Sequence, residues 1–185
     1  ALSLLVTAKA TAMLGDGVRD GAVARGVGDA LFALRHGQVS ATLDILSVDP
    51  KGEVVLATRW SSAPMLAGPG GRLEPVPCAS GPLGVRYLAR PEVRSWPLAA
   101  GFWAIVSTDG VAVAAAREDQ ADLMALAHRL SVEEDAQALA DGVLQVAIER
   151  DGGKPRDDMS VVALRIGEQA DEPRVRRMTV RVPLP

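Results

Sequence analysis

A single cysteine, Cys78, is all the thiol chemistry in this chain of 185 residues. No intrachain disulfide can form, and neither a zinc cluster nor an oxidising compartment is indicated; a buried thiol is expected. With only two histidines, His36 and His128, neither near a Ser, Cys or acidic pair, a nucleophilic triad is not expected. Both sit toward the ends of helical patterns and read as surface or capping residues. An excess of basic charge is also missing. The formal net charge is -3 and the sequence pI about 5.4, so no surface is prepared to neutralise a phosphate backbone, and nucleic acid is excluded as the main partner. Trp60, Trp96 and Trp103 lie in strand-like runs without interleaved basic residues and read as core rather than as a base-stacking platform. No apolar run is long enough to cross a bilayer, and residues 1–14, though apolar, lack a basic leader. A soluble, cytoplasmic protein without a membrane partner is expected.

What is present is an ordinary globular balance, 48% apolar and 23% charged, sized for a single domain spanning residues 1–185. Helical spacing covers residues 2–14, ended by Gly15-Asp16-Gly17, and about 22–34, followed by Gly37. Asp16-Gly17 therefore reads as a helix stop. The period then changes to strands and turns over 38–48, 53–60, 65–67 and 72–76. Asp49-Pro50-Lys51-Gly52 suits a type I turn, and Gly68-Pro69-Gly70-Gly71 makes another. This block reads as an antiparallel meander. Strands near 93–98 and 102–107 follow, then helices at 120–129 and 132–148, with residues 131–134 as a capping box for the second. A strand at 160–166 and an Arg-rich edge strand at 175–182 close the pattern. Strands in one block flanked by helix pairs indicate α+β layers rather than alternating βαβ units.

Two acidic signatures carry the chemistry. Ser107-Thr108-Asp109-Gly110 closes the run 102–106, and Arg156-Asp157-Asp158-Met159 opens 160–166. If these runs are antiparallel neighbours, the exit of the first and the start of the second fall at one sheet edge, and their carboxylates gather there. Alone, Asp109-Gly110 reads as a strand-end turn, and Asp157-Asp158 as a solvated loop with Arg156 as local partner. Together they read as half of an all-oxygen site for a hard cation.

Thr108-Asp109-Gly110 and Arg156-Asp157-Asp158-Met159-Ser160-Val161-Val162 resemble the last two metal motifs of the metal-dependent protein phosphatases, the protein phosphatase 2C group, in its bacterial branch typified by the sporulation stage II protein E phosphatase. Ala41-Thr42-Leu43, Ser62-Ala63-Pro64-Met65-Leu66 and Gly81-Pro82-Leu83-Gly84 fall in the matching order. The resemblance implies an α-β-β-α sandwich of antiparallel sheets. It implies a serine/threonine phosphatase acting on a phosphorylated bacterial signalling protein, such as an anti-sigma-factor antagonist, with two Mn²⁺ or Mg²⁺ ions and an activated water instead of a catalytic side chain. Asp109 and Asp157 would be metal ligands, Gly110 would give backbone room beside them, and Asp158 would support the ligands from behind. The family's first motif, an early Asp-Gly, has no match. The chain starts at alanine inside a helical pattern, so an N-terminally incomplete sandwich, three-quarters of the family domain, is expected. The alternative is a catalytically inactive phosphatase-like binding or regulatory module. A homo-oligomer or an attached sensor domain is the expected company.

Overall fold

The computed structural model describes residues 2–60, 63–86, 90–111, 125, 128 and 135–168. Helices α1 (Leu2–Gly15) and α2 (Asp20–Arg35) come first, followed by strands β1 (Leu43–Asp49), β2 (Val54–Trp60), β3 (Met65–Gly68), β4 (Glu74–Val76), β5 (Glu92–Pro97) and β6 (Trp103–Ser107). Helix α3 (Ala136–Arg150) and strand β7 (Val161–Arg165) complete the described elements. All strand pairs are antiparallel, in one sheet of order β1-β2-β5 and a second of order β4-β3-β6-β7.

The layers follow from which residues each strand buries. On β2, Val55 and Ala57 join Met65, Ala67, Val76, Phe102 and Ala104 in a core between the two sheets. Trp60, an odd number of residues from both and so on the opposite face of the strand, faces α1 and α2, where it meets Val6, Val23, Val27, Leu31 and Ile45. On β6, Trp103 and Ile105 point the opposite way from Ala104, toward Leu139, Val143 and Ala147 of α3. Both faces of these central strands are therefore covered, which the period-2 geometry of a strand requires in a four-layer stack. The α-β-β-α sandwich and α+β class are as expected from the sequence. Each large apolar side chain buried this way contributes about 1.5–3 kcal/mol.

Local chemistry sets the connections. Gly17, at φ +79°, stops α1 and donates to the Leu14 carbonyl at 2.9 Å. His36 closes α2 in the left-handed region at φ 49°, with Gly37 following at φ 77°. In the β1–β2 turn, Asp49 Oδ1 accepts from the amides of Lys51 at 2.9 Å and Gly52 at 3.0 Å.

Several expectations are corrected. The block from 38 to 76 is not one meander: after β2 the chain leaves the first sheet, and β3 pairs with β4 and β6 in the second. A continuous meander would leave the apolar faces of one broad sheet open, whereas splitting it lets two sheets bury each other. The first strand begins at Leu43, with Ala41 making only an isolated bridge to Leu83. Helix α3 is capped by Asp135, whose side chain accepts from Gln137 and Ala138 amides. The proposed capping box at 131–134, most of the helix at 120–129 and the strand at 175–182, with its arginines, lie outside the described residues. Cys78 is half-buried rather than buried. Trp60 and Trp103 are core, 1% and 2% exposed. Among the described residues, no helix is long and apolar enough to cross a membrane.

Candidate metal centre

Strands β6 and β7 pair antiparallel with Ser107 opposite Val161. The exit of one and the start of the other therefore share an edge, which is the juxtaposition the two acidic signatures needed. The ladder continues past the strand ends. The Thr108 amide donates to the Ser160 carbonyl at 3.0 Å. The Thr108 hydroxyl donates to the Asp158 carbonyl at 2.9 Å and accepts from the Ser160 amide at 2.9 Å. One threonine thus ties both motifs together, a role its position beside Asp109 did not reveal.

Gly110 explains how closely they approach. A Cβ placed there would lie 2.7 Å from the Asp158 carbonyl oxygen and 3.3 Å from Met159 Cγ. Only a residue without a side chain lets the turn after β6 seat against the backbone of the second motif. The group that approaches Gly110 is the backbone of Asp158.

Asp109, Asp157 and Asp158 are all exposed at this edge. Asp109 Oδ1 accepts from the Gly110 amide at 3.1 Å, and Asp157 Oδ1 accepts from the Asp158 amide at 2.8 Å. Each carboxylate is thereby oriented by the residue that follows it. By contrast Asp49 and Asp135, which shape a turn and a helix end, each accept two amides. Asp109 and Asp157 are therefore less committed to local structure than the chain's structural aspartates, and oxygen donors of this type suit hard divalent ions.

Arg156 does not neutralise the acidic pair as the sequence suggested. Its amide donates to Asp151 Oδ2 at 2.8 Å and its Nε lies 3.4 Å from Asp151 Oδ1. Asp151, at the end of α3 and 9% exposed, thus anchors the loop that presents Asp157. Beside it, an open cleft of about 430 Å³ runs between Leu144 and Ile148 of α3 and residues 155–159. Among the described residues, no group of three or more His, Cys, Asp or Glu side chains is assembled to hold a metal. His36 closes α2, and His128 places Nδ1 2.7 Å from the Gly71 carbonyl, so neither histidine joins this edge.

The comparisons with known proteins agree with this architecture. Residues 1–167 match the family profile of Stage II sporulation protein E (SpoIIE). No curated protein sequence matches the chain. Among solved structures, the phosphatase domain of SpoIIE from Bacillus subtilis with a fragment of its regulatory domain is 22% identical with a TM-score of 0.76, over 89% of this chain and 49% of that one. The RsbU and RsbW domains of a Mycobacterium tuberculosis protein are 20% identical with a TM-score of 0.72, over 89% of this chain and 46% of that one. The catalytic domain of the serine/threonine phosphatase PstP, in complex with two manganese ions, is 15% identical with a TM-score of 0.68, over 90% and 81%. The chain spans about half the length of the first two of these proteins, and the likeness to all three is one of fold.

Proposed function

The chain belongs to the Stage II sporulation protein E (SpoIIE) family, and from that premise we propose that it serves a metal-dependent serine/threonine protein phosphatase, with Asp109 and Asp157 as ligands for Mn²⁺ or Mg²⁺. The observation that supports this is the β6–β7 pairing, extended through Thr108, Ser160 and Asp158, that brings the two acidic motifs to one edge. The donor set fits such an ion: exposed carboxylates, each oriented by one amide and neither salt-bridged to Arg156. When bound, divalent ions there would supply Lewis-acid charge for a phosphoryl group and an activated water, so the chain needs no nucleophile of its own. The protein's part is positioning. Thr108 locks the two turns together, Gly110 lets them touch, and Asp151 holds the loop that carries Asp157. Asp158 contributes its backbone carbonyl to Thr108 and its amide to Asp157, which is a supporting role. The substrate class we favour is a phosphoserine or phosphothreonine on a signalling protein, an anti-sigma-factor antagonist being the family's pointer.

A second reading, an inactive phosphatase-like module that binds a phosphoprotein, is favoured by the absence of a three-ligand cluster among the described residues. Titration of Mn²⁺ followed by electron paramagnetic resonance tests the site: binding should weaken at least about tenfold in both Asp109→Asn and Asp157→Asn. Mn²⁺ binding indifferent to both substitutions would sink it. Mn²⁺-dependent hydrolysis of p-nitrophenyl phosphate then separates the two readings: turnover lost in Asp109→Asn favours the enzyme, and Mn²⁺ binding without turnover favours the module.

A further inference from the structure

Among the described residues, the space between the sheets holds a buried ion pair that the metal centre does not use. Arg59 is 1% exposed and, like Val55 and Ala57, stands on the face of β2 turned toward the second sheet. Its Nε donates to Asp44 Oδ1 at 2.9 Å, directly across the β1–β2 ladder. Nη1 donates to the Val76 carbonyl and Nη2 to the Ala63 carbonyl. The guanidinium thus joins the first sheet, the end of β4 and the segment that carries the chain from one sheet to the other.

Those acceptors lie next to the acidic edge. Val76, Met65, Val106 and Val162 form one row across the second sheet. One step further out, the Ser107 hydroxyl donates to the Pro64 carbonyl at 3.3 Å, and Ser107 is followed by Thr108 and Asp109. A buried ion pair is a poor source of stability compared with apolar side chains of similar volume, so stability alone does not account for it. A planar fork reaching three acceptors in three directions does fix geometry. We propose that Arg59 is a positioning residue for the metal edge, holding Ala63-Pro64 so that Ser107, Thr108 and Asp109 keep their place. This rests on the metal-site reading above.

Amide hydrogen exchange and Mn²⁺ titration on the same chain test it. Arg59→Lys retains the charge beside Asp44 but not the fork. Exchange at Met65 and Thr108 should rise about tenfold or more while the amides of α3 keep their protection. Mn²⁺ affinity should fall by about tenfold, as for other residues that support ligands from behind. Ser107→Ala, which cuts the last link, should weaken Mn²⁺ binding in the same direction. Asp44→Leu/Arg59→Met exchanges the ion pair for apolar volume; it should recover the urea midpoint yet leave exchange at Thr108 fast. Unchanged exchange at Met65 and Thr108 in Arg59→Lys, or restored protection in the double variant, overturns the proposal. If the parent chain shows no Mn²⁺ binding that depends on Asp109, the metal-site reading fails, and the exchange measurement still decides the positioning role.

Discussion

Strand β2 carries a charge one residue before its end, and strand β6 is followed two residues later by another; the protein handles them in opposite ways. Arg59 is buried between the sheets and has all three of its nitrogens bonded, to Asp44, Val76 and Ala63. Asp109 is exposed and accepts one amide, from its own successor. A charge removed from water must be satisfied by the protein itself, whereas one left at the surface can keep its oxygens for a ligand. The contrast separates a charge that holds the framework from one available for chemistry, and it can be attacked experimentally.

The strongest attack is on the buried charge. Arg59→Met should cost about 3–5 kcal/mol by urea unfolding, because it breaks the buried ion pair with Asp44 and takes the guanidinium away from the Val76 and Ala63 carbonyls. Asp109→Asn should stay within about 0.5 kcal/mol. Equal losses in the two would erase the distinction.

A smaller loss is expected where the exposed edge depends on tight backbone packing. Gly110→Ala puts a Cβ 2.7 Å from the Asp158 carbonyl oxygen, an overpacking of about 1–3 kcal/mol. Gly81→Ala, where a Cβ meets nothing within 4 Å, is the control and should be neutral. Were Gly110→Ala equally neutral in a thermal melt, the two acidic motifs would not be in the contact described.

Exposed aspartates with structural work sharpen the contrast further. Asp135→Ala removes the acceptor for two amides at the start of α3 and should cost about 1 kcal/mol. That exceeds the loss from Asp157→Asn, if Asp157 is indeed held in reserve for a ligand.

The smallest effect is a dependence on pH. The amides of Gly52, chiefly, and of Lys51 hold the Asp49 carboxyl below its ordinary value. A depressed folded-state pKa adds stability that is fully present above the unfolded value, about 3.9, and is lost as pH falls through the folded one. The stability difference between the parent and Asp49→Asn should therefore be level from neutral pH down to about pH 4.5 and shrink below it. A difference that grows on acidification would reverse the assigned sign.

Much of this organisation was legible in the residues. Apolar runs flanked by Asp-Gly and Asp-Asp marked two strands whose ends would meet if the strands paired antiparallel, and β6 and β7 do pair in that way. The turn at Asp49 was legible because Asp, Pro and Gly each have a distinct conformational reason to be there. Arg59 and Asp44 were missed, although a signal existed. A charged residue inside the run Val54–Trp60 needs a buried partner, and once the turn pairs Asp49 with Val54, counting back along the ladder sets Asp44 opposite Arg59. Asp151 had no such signal, since nothing local distinguishes a buried aspartate at a helix end from a solvated one.

By itself, then, the sequence determined the local events: where helices stop, which residues turn, and which carboxylates end strands, because each depends on φ, capping and side-chain chemistry within a few residues. Only the tertiary structure decided that the strand block divides into two sheets, that Arg59 faces the gap between them, and that Arg156 pairs with Asp151 instead of the acidic motif. Those outcomes depend on which apolar faces bury one another and which charges are left facing them, and residues far apart in the chain must first be brought together for either to be settled.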